Sequence, residues 1–129
     1  MRQAVFPLLF LGLAAGADCV DIRALYSDTY RKCIENSGGT TMAVTECQDA
    51  ELRRQDKKLN EAYMALKKEI APSRRAALRK MQRAWIRYRD AKCGFFRHEK
   101  SGSGAANDEM QCLVDETIKR TVELRFDTF

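Results

Sequence analysis

The sequence predicts an all-α fold: a small antiparallel bundle of about four helices, stapled by two disulfides. Three observations carry this. Apolar residues recur at three- and four-residue spacing in four separate segments. No stretch alternates apolar and polar residues between turn signals, as a half-buried strand would. Cysteines bracket two of the expected chain reversals.

The first segment runs from about Val20 to Asn36, with Ile22, Leu25, Tyr26, Thr29, Tyr30 and Cys33 along one side. Gly38-Gly39 ends it, because glycine enters the left-handed conformation that closes helices at little cost. Thr40 or Thr41 then caps a long second segment, roughly Met42 to Ile70. Its stripe reads Leu52, Leu59 and Leu66, with Tyr63 and Ile70 beside it. Pro72 suits the first turn of a third helix, where its missing N–H costs nothing. That helix reaches about Phe96, with Leu78, Met81, Trp85, Tyr88, Ala91 and Phe95 on its packing side. Ser101-Gly102-Ser103-Gly104 make a flexible loop. Asn107 or Asp108 caps a last helix through Phe126, carrying Met110, Leu113, Val114, Thr117, Thr121 and Leu124.

Geometry constrains the cysteines. Two residues fourteen apart on one straight helix lie about 21 Å apart, and a disulfide needs Cα atoms within about 7 Å. Cys33 can therefore reach Cys47 only if the chain reverses between them, where Gly38-Gly39 sits. Cys93 and Cys112 bracket the Ser-Gly loop in the same way. Each bridge closes a short loop and stabilises by about 3 kcal/mol. Cys19 is left over and reads as a free thiol near a frayed end, with an intermolecular bridge as the alternative.

The N-terminus explains why cysteines would be oxidised. Arg2, an apolar run from Val5 to Leu13, and Ala15-Gly16-Ala17 read as a signal peptide of residues 1–17, cleaved before Asp18. Asp18 is a poor fit to the small residue that lipidation of Cys19 would need. Residues 18–129 then form one domain of ordinary size, secreted or periplasmic. Loss of Arg2 lowers the formal charge from +5 to +4. The apolar run is too short to span a bilayer comfortably, and nothing later is long or apolar enough. With one histidine, His98, and no C-x-x-C, the chain offers no zinc set and implies no cofactor. Nor is there a nucleophile–base pair or phosphate loop, so the sequence reads as non-enzymatic.

Polar residues on apolar faces are informative. Asp56 follows Leu52 by four residues and precedes Tyr63 by seven, so it is expected on the core side. Arg89, one turn from both Trp85 and Cys93, is the expected partner, since a buried carboxylate needs one. Gln82, Asn60, Tyr63, Thr117 and Arg120 extend this set. Its expected role is to fix how the helices register. Trp85 reads as core.

The stretches Asp56-x-x-Leu59-Asn60-x-x-Tyr63, Gln82-Arg83-Ala84-Trp85-Ile86-Arg87-Tyr88-Arg89-Asp90-Ala91-x-Cys93, and Cys112 with Thr117-x-x-Arg120 and Glu123-Leu124 carry a resemblance. Together they are similar to the LprI-type (YecT-like) lysozyme-inhibitor-like domain family, over roughly Tyr30 to Leu124. The resemblance implies an exported helical domain, and it implies lysozyme inhibition as a candidate activity. The chain departs in Cys19, and in a Ser-Gly-Ser-Gly loop where the family tends to show Gly-Gly-Ser.

Two functions follow. As an inhibitor, the protein would bind a cell-wall hydrolase such as lysozyme, whose cleft holds an acid/base carboxyl pair. The loop Arg97, His98, Lys100, Ser101, Gly102, Ser103 and Gly104 is basic, narrow and rich in small donors. The alternative is an envelope adaptor without inhibitory activity. It would use the basic runs Lys57-Lys58, Lys67-Lys68, Arg74-Arg75, Arg79-Lys80 and Arg83 on an anionic surface or another protein. Nucleic acid is a poor partner for an exported chain. Alkylating the native protein before reduction should label one cysteine per chain. Three labelled cysteines would contradict the pairing.

Overall fold

The computed structural model describes residues 20–126. The expected leader, its cleavage point and Cys19 lie outside the described residues. Within them, a 3-10 turn at Ile22–Leu25 precedes α1 (Asp28–Asn36) and α2 (Thr41–Glu69). A second 3-10 turn, Pro72–Arg74, leads into α3 (Arg75–Gly94), and α4 (Ala105–Phe126) ends the fold. The described residues form no strand.

Residue pairings set the directions. Cys33 bridges to Cys47 with Cα atoms 5.7 Å apart, and Cys93 to Cys112 with 5.4 Å. Each bridge ties an antiparallel hairpin, α1 with α2 and α3 with α4. Gly38 and Gly39 have φ of 62° and 74°, the left-handed values that the first reversal requires. Because α3 returns along α4, α2 and α4 run parallel. Thr45 meets Asn107, Gln48 meets Gln111, and Leu59 and Leu66 share a cluster with Leu124.

Two apolar clusters lie along the α2–α4 seam. Tyr26, Val114 and Ile118 form one, with Ile22, Tyr30 and Leu52 against it. Leu59, Ala62, Leu66, Leu78 and Leu124 form the other, with Tyr63, Ile70, Met81 and Trp85 against it. Each fully buried leucine there contributes roughly 1.5–3 kcal/mol. The helix α4 lies at the centre, so residues on most of its sides are buried, including Glu116, Thr117, Arg120 and Thr121.

Between the clusters and the first hairpin sits a carboxylate. Glu51 is fully buried. It accepts from the Ser27 amide at 2.9 Å, the Ser27 hydroxyl at 2.5 Å, Gln55 Nε2 at 2.7 Å and Arg54 Nε at 2.8 Å. Burial pushes this carboxyl up. The bonds from the Ser27 side chain, Gln55, the Ser27 amide and Arg54 outweigh it and leave the pKa below the ordinary range.

Ser27 also explains a departure from expectation. The first segment is not one helix: Tyr26 and Ser27 are extended, with ψ of 144° and 149°. That opening frees the Ser27 N–H for Glu51, and the same residue caps α1 by accepting from the Tyr30 amide at 3.0 Å. Leu25 and Thr29 are exposed as a result. Thr40 is the cap of α2, accepting from Ala43. Neither Asn107 nor Asp108 caps α4, which starts at Ala105; Asn107 Oδ1 instead accepts from Thr45 at 2.6 Å.

Removing Glu51 orphans several donors, so Glu51→Ala should cost about 3 kcal/mol in denaturant unfolding at neutral pH. The pH sign follows from the lowered folded-state pKa. The stabilisation is present above the ordinary glutamate value of 4.5 and is lost as pH falls through the folded pKa. Unfolding followed against pH should show this acid limb in the wild type and a flatter one in Glu51→Gln.

Candidate functional site

The motif residues meet where α3 lies against α4. Arg120, almost wholly buried, donates from Nε to Gln82 Oε1 at 3.0 Å and from Nη1 to Glu123 at 2.8 Å. Its guanidinium lies 5.7 Å from the centre of the Trp85 ring, and Arg89 lies 5.2 Å from the same ring. Arg89 also donates to Thr117 Oγ1 at 3.2 Å. Thus Trp85 holds two cations, attracted to its π face and kept in register by Gln82, Thr117 and the carboxylates of Glu123 and Asp90. Buried Arg120 Nη2 has no hydrogen-bond partner within the described residues.

Asp56 is placed differently from expectation. Its side chain is 46% exposed, and Arg89 Nη1 reaches it at 3.5 Å with a single nitrogen. Arg89 pairs more closely with Asp90, at 2.9 Å. Burial, with the neighbouring Asp90 charge adding to it, holds the Asp56 carboxyl pKa above its ordinary value despite Arg89. The reason is phase. The buried positions of α2 are Cys47, Gln48, Glu51, Gln55, Leu59, Ala62 and Leu66, so Asp56 sits at the edge of the seam. Asn60 is exposed and Tyr63 is half-buried against the leucine cluster.

Sequence reasoning missed a second polar network. The Tyr26 hydroxyl donates to Asp115 and accepts from Gln111 Nε2. Gln111 Oε1 accepts from Tyr30 at 3.2 Å and from Gln48 Nε2 at 3.2 Å. Burial, then the bond to Asp115, push the Tyr26 hydroxyl far above its usual range. At the α3–α4 edge, Glu116 accepts from Lys92 and Lys119, each at 2.9 Å. Burial raises that carboxyl, and the two lysines more than reverse it. These groups are locked into helix contacts and present no free acid, base or nucleophile.

What projects is the connection between α3 and α4. Phe95, expected on the packing side, is 84% exposed, and Tyr88 and Ala91 are exposed too. The α3 face is set by Cys93, which is fully buried in its bridge. Trp85 and Arg89 lie at four-residue spacings from it, while Phe95, two residues on, points nearly opposite. That signal is present in the sequence.

The loop is shaped from within. The Ser101 hydroxyl donates to the His98 carbonyl at 2.7 Å, and the Lys100 amide donates to His98 Nδ1 at 3.2 Å. Arg97 pairs with Glu109 on α4. The side chains of His98 and Lys100, together with Gly102, Ser103 and Gly104, face solvent. Phe95, Phe96, His98, Lys100 and Asp108 line a shallow depression of about 530 Å³.

The two sets of motif residues differ in their expected response. Asp56→Asn removes a half-exposed, desolvated charge and should change stability by less than about 1 kcal/mol. Arg120→Ala, which strips a buried hydrogen-bonded guanidinium from Trp85 and Gln82, should cost about 3 kcal/mol. Denaturant midpoints of the two variants measure the contrast.

An uncharacterised protein of Rhizobium meliloti is 35% identical, over 65% of this chain and 70% of its own. No solved structure matches the chain. No described helix is long and apolar enough to cross a membrane. The family described as lysozyme inhibitor LprI matches residues 33–124, which takes in both disulfides, the Trp85 clamp and the exposed loop. The chain belongs to the lysozyme inhibitor LprI family.

Proposed function

We propose that this protein is an exported, non-catalytic binder that blocks a lysozyme-type cell-wall hydrolase with residues 95–104. The observation that carries the reading is the placement of Phe95. A large aromatic stands 84% exposed two residues from a fully buried disulfide cysteine. Exposed aromatics on a rigid support are the residues that anchor interfaces, because little ordering entropy is lost when they bind. Membership of the inhibitor family supports the same partner class. Two disulfides suit a periplasmic or secreted location.

The loop's chemistry fits a cleft containing two carboxyl groups. His98 and Lys100 extend from turns fixed by Ser101, so their backbone is ordered before binding. Lys100 would face a carboxylate, and the His98 ring, accepting at Nδ1, would donate from Nε2. Gly102, Ser103 and Gly104 keep the tip narrow. Phe95 and Phe96 would seal the mouth of the cleft against water. The Ser101 hydroxyl, committed to the His98 carbonyl, shapes the loop rather than meeting the partner.

Residues 72–94 carry eight of the chain's 23 lysines and arginines but one of its 18 acidic residues. That segment alone is +7 while the whole chain is +5, so the remainder is −2. Outside that segment the charges nearly balance, and the loop itself, with Arg97 and Lys100 against Glu99, is only mildly basic.

Turnover of a lysozyme on bacterial cell walls tests the reading. The intact protein should inhibit, and the double variant His98→Ala/Lys100→Ala should inhibit roughly 30-fold more weakly, as loss of an interface anchor does. Equal inhibition by both would remove the loop from the interface. Absence of inhibition by the intact protein across lysozyme types would remove the function.

A further inference from the structure

Positive charge is concentrated on the outward face of α3. Arg79, Arg83 and Arg87 are spaced by four residues, so they form one row rising about 6 Å per step. Lys80 stands beside them. All four are exposed, and none has a hydrogen-bond or ion-pair partner among the described residues. Exposed Ala76, Ala84 and Ala91 lie between and beside the cations, leaving the helix surface low and approachable. Like charges one turn apart weaken a helix, so the row destabilises the isolated protein and contributes nothing to its packing.

The opposite face of the same helix is firmly seated. Leu78 is buried in the leucine cluster, Trp85 lies between Arg89 and Arg120, and Cys93 is fully buried in its disulfide. A helix of 20 residues is thus held as a rigid bar about 30 Å long, cations outward. Two larger side chains flank the row: Ile86 is 39% exposed and Tyr88 is 56% exposed.

We propose that the outward face of α3 docks on an anionic phospholipid bilayer. Arg79, Lys80, Arg83 and Arg87 would meet headgroup phosphates, with Tyr88, at the edge of that face, entering the interfacial layer. Charge complementarity selects an anionic surface, since each Arg or Lys near one gains from its negative potential. The exposed Tyr88 selects a bilayer over a dissolved polyanion: an amphipathic ring gains at the lipid interface and gains nothing in water. Docking by this face leaves residues 95–104 outside the contact. The proposal does not rest on hydrolase inhibition.

Co-sedimentation with vesicles tests it, comparing phosphatidylglycerol mixed into phosphatidylcholine with phosphatidylcholine alone. The protein should bind the mixed vesicles, leave the neutral ones in solution, and dissociate as salt shortens the screening length. Arg79→Gln/Arg83→Gln/Arg87→Gln should weaken partitioning on the order of 100-fold. Tyr88→Ser should weaken it about tenfold, with the salt dependence retained. These side chains are exposed and the row weakens the helix, so the variants should have a thermal midpoint no lower than the wild type's. The wild-type salt response supplies a reading that needs no variant. Equal binding to both vesicle types, no binding to either, or an unaffected triple variant would overturn the proposal. So would capture of soluble polyphosphate by a protein that ignores mixed vesicles.

Discussion

A carboxylate with no access to water sits at the junction of three helical pieces, and its oxygens are filled by four donors. Glu51 is costly to bury alone and becomes favourable only when Ser27 presents both its amide and its hydroxyl. That condition fixes where the chain must open between the first 3-10 turn and α1, and where α1 must start. The Cys33–Cys47 bridge then closes the hairpin from its other end. With α1 held, the Tyr26 and Tyr30 rings, whose centres are 4.9 Å apart, are delivered to Gln111 and Asp115 on α4. The buried charge thus acts as a registry device rather than as a simple source of stability.

The central and outer parts of the bundle differ in kind. Polar and apolar side chains share the α2–α4 seam, whereas α3 is attached along one narrow stripe through Leu78, Gln82, Trp85, Arg89 and Cys93. A helix held on one side has an unusually wide free surface. The sequence fills it with cations near the middle and with aromatics at Tyr88 and Phe95. This separation lets one small domain carry an exposed loop at one end of α3 and a strongly basic flank along it.

Much of this fold is legible in the order of the residues. The two disulfides are expected where cysteines bracket a chain reversal, at Gly38-Gly39 and at the Ser-Gly loop, since an uninterrupted helix cannot close either bridge. Helix number follows from periodicity, and Thr40 and Pro72 mark two starts. Phase is what the pattern misplaces. In α2, Gln48, Glu51 and Gln55 occupy core positions ahead of Leu59 and Leu66, so the stripe has a polar first half, and Asp56, one residue past Gln55, falls at its edge. In α3 the apolar residues outnumber the buried positions, so periodicity assigns Phe95 and Tyr88 to packing although both face solvent. Polar core residues are invisible to a hydrophobic pattern, and only their hydrogen-bond partners, distant in sequence, explain them.

Carbon-13 NMR titration of the Glu51 side-chain carboxyl tests the central constraint most directly. The expected midpoint lies below the ordinary glutamate value of 4.5 and moves upward in Ser27→Ala as a donor to the carboxylate is lost. A midpoint at or above 4.5, unmoved by that substitution, would contradict it.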